Sequence, residues 1–160
     1  MGVRLQFHGA AGCVTGACFR LTTPRAEVLI DCGMFQGSKS LKALNYGDFP
    51  FDPTGVDAVL LTHAHIDHSG LIPKLIKAGF GGPVLATAAT RDLCQALLPD
   101  AGGIQEQDVE HLNRRLRRQG RPEVEPIYGR EDGEAALKRF RAVAFHEAVD
   151  VAPGVVARFW

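Results

Sequence analysis

Residues 62–70 read THAHIDHSG and directly follow the apolar run VDAVLL at 56–61. Half of the six histidines fall in this stretch, together with one carboxylate. Because alternate side chains of an extended segment point to the same side, we expect His63, His65 and Asp67 to converge. Asp67 and His68 would occupy the turn into a helix, where Asp67 or Ser69 could serve as the cap.

Imidazole and carboxylate groups at this spacing are ligands that suit Zn²⁺ and related ions. The alternative is a solvated histidine-rich loop, or an aspartate that only caps the helix. That alternative does not explain two histidines two positions apart after a buried strand, and desolvating three unpartnered imidazoles would be costly. The sequence therefore predicts a metal site formed by His63, His65, Asp67 and His68.

Short strands and helices alternate around this stretch, which predicts an α/β layered fold. The segment at 33–55 is expected to be a loop, because glycines and prolines interrupt it. We expect Pro73 in the first turn of a helix, where it is tolerated. The predicted strands are 4–8, 18–22, 27–30, 56–61, 84–86, 142–145 and 155–160, and the predicted helices are 71–80, 90–98 ended by Pro99, 103–119 and 131–140.

The composition indicates one globular domain of 160 residues with 18 basic and 18 acidic side chains. That balance gives the whole chain no general attraction to nucleic acid or to an acidic membrane. No apolar run approaches the roughly 18–20 residues that span a bilayer, and a cytoplasmic location with no membrane partner is expected. The four cysteines form no Cys-x-x-Cys pair and are interpreted as reduced core residues.

The motif at 63–68 resembles the ligand motif of the metallo-β-lactamase superfamily. The resemblance implies that His63 and His65 bind one zinc ion and that Asp67 and His68 bind a second. Asp31, at the end of VLIDCG (28–33), is similar to an earlier aspartate of that family, which orients groups of the site. Asp67 and Asp31 are therefore the candidate catalytic residues, and two zinc ions are expected in the intact enzyme.

A closer resemblance is to the β-CASP branch, whose members are metal-dependent nucleases that cut or trim RNA. It rests on FHGAAGCVTGAC at 7–18, DCGMFQG at 31–37, HLNRR at 111–115 and PIYGRED at 126–132. The resemblance implies an αββα sandwich and a zinc ribonuclease that acts on single-stranded RNA in processing or decay.

Several features of that branch have no counterpart in the sequence: a further metal-binding histidine, a bridging aspartate and the inserted β-CASP domain. His146 lacks the surrounding turn and is interpreted as a surface or edge residue. Residues 1–160 are thus expected to be the N-terminal portion of a metallo-β-lactamase domain, incomplete because the β-CASP insert and the C-terminal completion are absent. We expect partial zinc occupancy or none, little turnover, and self-association through an uncovered apolar face.

Two other functions remain open. One keeps the fold but assigns a small substrate, a thioester or a lactone; the other is a non-catalytic metal-binding or interaction fragment. A basic cluster at 114–121 could contact an RNA backbone. We favour a simpler interpretation, in which these arginines balance the carboxyl end of a helix.

Overall fold

The computed structural model describes residues 2–160, so Met1 of the predicted 1–160 unit lies outside the described residues. Within them the chain forms a six-stranded sheet in the order β1-β2-β3-β4-β5-β6 and a separate antiparallel hairpin, β7-β8. The first three strands pair antiparallel, and β3 to β6 pair parallel. The strands are β1 (Arg4–Phe7), β2 (Phe19–Thr22), β3 (Glu27–Ile30), β4 (Ala58–Leu60), β5 (Val84–Thr87), β6 (Phe140–Val143), β7 (Ala148–Ala152) and β8 (Val155–Arg158).

Five α-helices connect and cover these strands in the described part of the chain. They are α1 (Lys39–Ala43), α2 (Ile66–Ser69), α3 (Ile72–Lys77), α4 (Ala88–Arg118) and α5 (Arg130–Ala136), with single 3₁₀ turns at Leu44–Tyr46, Pro53–Gly55 and Leu137–Arg139. None of the helices among residues 2–160 is long and apolar enough to cross a membrane. The predicted α/β class is confirmed.

The sheet has two faces that are covered very differently. Alternate strand residues such as Leu29, Val59 and Val84 point to one face and pack with α3 and α4 in the main core; we call this the helix-covered face. The opposite face carries Leu21, Val28 and Leu60, against which Val155 of the hairpin packs; we call this the hairpin-covered face. The hairpin leaves the β1 end of this second face exposed.

Helix α4 corrects the prediction of two helices separated at Pro99. It is continuous for 31 residues, and the buried Pro99 lies inside it. The neighbouring glycine Gly102 lies against the start of α5, where an added Cβ would come within 2.4 Å of the Gly129 carbonyl oxygen. Close packing of α4 on α5 therefore stabilises a helix that the local sequence would break.

Other boundaries also differ from the predictions. The 33–55 segment contains α1, whose cap Ser38 accepts a hydrogen bond from the Leu41 N–H at 3.3 Å. The predicted helix at 131–140 ends earlier, because Phe140 begins β6 and pairs with Val84. Strand β7 was not predicted, and the strand predicted at 155–160 pairs with it instead of joining the main sheet. Pro73 lies in the first turn of α3, as predicted.

Candidate metal centre

The predicted site residues meet where the parallel strands β3 and β4 end. Asp31 follows β3 directly, and Thr62 and His63 come shortly after β4. His65 is the N-cap residue that precedes α2, so Asp67 lies in the first turn of that helix and His68 in its last. Since adjacent parallel strands end at the same edge of a sheet, chain topology alone brings these two loops together.

Three imidazoles form a cluster at this edge. The ring centroids of His63 and His65 lie 4.7 Å apart, and those of His63 and His68 lie 4.0 Å apart. The Asp67 Oδ2 atom lies 3.7 Å from His68 Nε2, which is too long for a hydrogen bond. The structure thus places the four predicted ligand side chains at one edge of the sheet, where each lies near at least one of the others.

Asp31 is the buried centre of the arrangement, with only 1% of its surface exposed. Its carboxylate accepts hydrogen bonds from the Thr62 N–H at 2.8 Å and from the Thr62 hydroxyl at 2.8 Å. It also receives His68 Nδ1–H at 2.8 Å. These bonds compensate the burial of the charge and hold Asp31 in a left-handed conformation (φ 61°), which aspartate tolerates better than most residues.

The same bonds decide which nitrogen of two histidines is free. The Thr62 hydroxyl has one proton, which it donates to Asp31, so toward His63 Nδ1 at 3.0 Å it can only accept. His63 therefore carries its proton on Nδ1, as does His68 against the Asp31 carboxylate. In both rings Nε2 is left with a free lone pair, which is the form in which imidazole binds a metal ion.

The electrostatics also favour the neutral form of the His63 imidazole. Burial, and next the neighbouring imidazoles of His68 and His65, lower the pKa of His63 below its usual value. Asp31 and Asp67 oppose that shift without overcoming it. A metal ion therefore does not have to displace a proton from His63 at neutral pH.

Two local predictions about this segment were wrong. Asp67 does not continue the extended alternation of His63 and His65, because α2 begins at Ile66. Neither Asp67 nor Ser69 caps α2 through its side chain. The buried Ser69 hydroxyl instead donates to the carbonyl oxygens of Ala64 and His65, at 2.9 and 3.1 Å.

Backbone contacts lock the segment against its neighbours. The Asp67 carbonyl accepts the Ala17 N–H at 2.9 Å, and the Cys32 N–H donates to the His68 carbonyl at 2.8 Å. A Cβ at Gly33 would come within 1.7 Å of the Asp67 oxygen, so only glycine fits there. Gly33 and Thr62 were not among the predicted site residues, although they lie inside the motifs at 28–33 and 62–70.

The donor set fits zinc in its chemistry but is arranged in pairs. Among residues 2–160, no three or more His, Cys, Asp or Glu side chains lie together closely enough to hold an ion. Two donors of one tetrahedral zinc are about 3.3 Å apart, given bond lengths of about 2.0–2.1 Å. The 3.7 Å between Asp67 Oδ2 and His68 Nε2 is close to that separation.

The sequence between the glycine-rich loop and the start of α5 matches a known family. The profile described as metallo-beta-lactamase superfamily covers residues 11–129. The chain belongs to the metallo-β-lactamase superfamily. The predicted membership, made from the motif at 63–68, is therefore confirmed.

Relatives within the superfamily act on RNA or on transcription, by their names. The chain is 42% identical over 145 residues to ribonuclease TTHA0252 of Thermus thermophilus, covering 91% of this chain and 29% of that protein. It is 43% identical over 99 residues to transcription termination factor FttA of Methanosarcina mazei, covering 61% of this chain and 16% of that one. Cleavage and polyadenylation specificity factor subunit 3-I of Arabidopsis thaliana is 28% identical and matches 96% of this chain and 20% of its own length.

These relatives confirm the resemblance to the β-CASP branch. The chain spans less than a third of the length of each of the three. Among solved structures, the metallo-β-lactamase SMB-1 bound to 2-mercaptoethanesulfonate has a TM-score of 0.52 at 23% identity, covering 97% of this chain and 48% of that one. That likeness confirms the metallo-β-lactamase fold.

Proposed function

We propose that the intact protein is a zinc-dependent ribonuclease that cuts single-stranded RNA in the cytoplasm during RNA processing or decay. One observation carries the proposal: a buried aspartate, Asp31, fixes the imidazole of His68 beside those of His63 and His65. The names of the relatives favour RNA over a thioester or a lactone as the substrate.

The resemblance to the metallo-β-lactamase motif implies a role for each residue, and the contacts support it. His63 and His65 would hold one zinc ion, and Asp67 and His68 a second. Bound zinc supplies hydroxide near neutral pH, because it lowers the pKa of its water to around 7. Asp31 keeps the His68 ring oriented and makes its Nε2 a stronger electron-pair donor to a metal ion. Thr62 does the same for His63.

The 160 residues alone would bind zinc weakly and turn over little substrate. Tetrahedral zinc needs four donors, or three and a water molecule, and each pair here offers two. Elemental analysis after gel filtration would measure less than one zinc ion per chain. Two tightly held ions per chain would contradict this part of the proposal.

Self-association of the 160-residue chain is also proposed, through the exposed end of the hairpin-covered face. Leu5 and Phe7 of β1 are 47% and 60% exposed on that face, and their register partners Leu21 and Phe19 are half-buried. Contiguous apolar patches of this kind commonly find partners.

The decisive experiment compares substrates and variants in the intact protein. We expect zinc-dependent cleavage of single-stranded RNA and no comparable turnover of thioesters or lactones. Asp67→Asn should abolish cleavage while leaving the melting temperature of the metal-free protein within a few degrees. Asp92→Asn, which changes an exposed carboxylate paired with Arg91, is the matched control and should cleave normally. Efficient thioester hydrolysis with no RNA cleavage would overturn the assignment.

A further inference from the structure

A cleft of about 450 Å³ is lined in part by the segment that follows Asp31 and plays no part in the function derived above. Its walls come from the loop after β3, from the segment around α1 and from α4. The Met34 N–H donates to the Ile66 carbonyl at 2.9 Å, so one wall of the cleft is hydrogen-bonded to the first residue of α2. The cleft is lined by residues that include Met34, Gln36, Lys42, Tyr46, Gln105 and Ile127.

The backbone that presents Tyr46 in this cleft is held on both sides. The buried Asn45 side chain accepts the Phe35 N–H and donates to the Phe35 carbonyl, both at 2.8 Å. Lys74 donates to the Asn45 carbonyl at 2.7 Å and also to the Gly47 carbonyl. The Tyr46 side chain is nevertheless 58% exposed, which leaves an aromatic ring on a rigid support. A pre-positioned ring loses little conformational entropy when a flat ligand stacks on it.

The charge of the cleft distinguishes it from others of similar size. Lys42 is exposed and is the one charged side chain that lines it among the described residues. Two other clefts in the described surface, of about 440 and 340 Å³, each carry one more carboxylate than cations. The first is lined by Asp100, Glu134 and Arg130, and the second by Glu106, Glu131, Asp132, Lys77 and Arg130. An anionic ligand is therefore favoured in the Tyr46 cleft, whose one charged side chain is a cation, over the two clefts in which carboxylates outnumber cations.

We propose that this cleft binds one unpaired nucleobase of the RNA strand, stacked on Tyr46, with the adjoining phosphate on Lys42. Aromatic rings stack on every base without sequence preference, and a lysine ammonium pairs with the backbone phosphate. The exposed Gln36 amide at the rim can hydrogen-bond to the base edge. The proposal rests on the proposed ribonuclease function and adds a substrate-binding position next to its metal centre.

The test measures binding separately from cleavage, in the intact protein. Fluorescence anisotropy with a labelled single-stranded RNA, in an Asp67→Asn background, gives Kd without turnover. Tyr46→Leu should weaken binding about fivefold or more, since stacking on an aromatic ring contributes ~1–3 kcal/mol per base. Tyr46→Phe keeps the ring and should bind within about twofold of the parent.

A set of RNAs, each with one abasic position, locates the contact. If the missing base is the one that stacks on Tyr46, the parent should bind the abasic RNA about fivefold more weakly than it binds intact RNA. The Tyr46→Leu variant should bind the abasic RNA and the intact RNA equally well, because the contact is already lost. Lys42→Ala should also weaken binding, whereas Lys39→Ala, the same change on α1 outside the cleft lining, should not. Because Lys42 and Tyr46 are both exposed, circular dichroism and melting should match the parent.

The outcomes separate this proposal from the one it rests on. If the intact protein neither binds nor cuts RNA, both proposals fail. If it binds and cuts RNA but Tyr46→Leu and Lys42→Ala leave every Kd unchanged, the ribonuclease stands and the Tyr46 cleft is not a base-binding position.

Discussion

The two faces of the six-stranded sheet differ sharply in how completely they are covered. The helix-covered face contributes to one continuous core, in which Leu29, Val59 and Val84 are completely buried. On the hairpin-covered face the buried cluster consists of Ala26, Val28 and Val155 alone, among the residues described. The helix-covered face is therefore expected to supply most of the stability, and the exposed part of the hairpin-covered face to contact other molecules.

The candidate metal centre depends on the helix-covered face. Ala64 lies within the candidate ligand segment, Leu71 follows it and Cys32 follows Asp31; all three are buried in the main core. Rigid packing beneath a site is what keeps ligand side chains in position. Substitutions on the exposed part of the hairpin-covered face are therefore expected to leave the site undisturbed.

Leu29→Ala should have the largest effect. Leu29 is fully buried among the core residues, and a leucine-to-alanine change at such a position costs about 2–5 kcal/mol of unfolding free energy. The matched change Leu5→Ala, on the half-exposed residue of β1, should cost less than about 1 kcal/mol. Urea unfolding measures both, and equal losses would contradict the proposed difference between the faces.

Asp31→Asn should weaken zinc binding by the intact protein about 10- to 100-fold, because the amide no longer offers a charged acceptor to the His68 Nδ1–H. Competition with a chromophoric chelator measures the affinity, and Asp92→Asn again serves as the surface control. An unchanged affinity would show that Asp31 does not position a zinc ligand.

Phe7→Ser combined with Leu5→Ser should reduce self-association of the 160-residue chain. Both side chains are already largely exposed, so the unfolding free energy should change by less than about 1 kcal/mol. Sedimentation velocity over a range of concentrations reports the association. If the parent chain stays monomeric at every concentration, the exposed part of the hairpin-covered face does not mediate self-association.

The smallest expected effect is the pH dependence of the unfolding free energy that His8, which follows β1, contributes. Burial, and next the Arg20 guanidinium, lower the pKa of His8, whose Nε2 is buried without a partner and whose ring lies 5.1 Å from that of Phe51. As the pH falls through the pKa of the unfolded chain, about 6.5, the unfolded state takes up this proton first and stability is lost. Above that pH His8 contributes nothing to the pH dependence.

His8→Leu removes this titration and leaves the other histidines in place. Between about pH 7.5 and 5.5 the wild type should lose more unfolding free energy than the variant. Urea unfolding at each pH gives both curves, and parallel curves would mean that His8 titrates alike in the folded and unfolded chains.

The grouping of the histidines at the end of a buried strand was predictable from sequence because it is local. Three histidines and an aspartate within six residues supply the donor types that zinc prefers, and the buried strand before them places them at a sheet edge. The geometry around Asp67 was not predictable, since the start of α2 at Ile66 depends on where the chain turns back over β3.

Features fixed by tertiary packing were missed for a physical reason. Pro99 is a helix breaker by local rules, and α4 continues through it where two glycines allow close packing on α5: Gly102 of α4 lies against Gly129, and Gly133 of α5 lies against Leu98 and Pro99. Strand β7, with its exposed Ala148 and Asp150, has a weak apolar pattern and exists because β8 pairs with it. In the basic cluster at 114–121, Arg114 pairs with Glu110 at 2.6 Å, in line with a helix end whose charges balance one another.

The bond between Asp31 and His68 also bears on the order of folding. The two residues are 37 positions apart, and their loops meet only after β3 and β4 have paired. Closing so long a loop is a late and entropically expensive event. A zinc ion added to the refolding chain should therefore arrive at a nearly finished scaffold, unlike in small zinc-finger domains, where the metal itself drives the chain to fold.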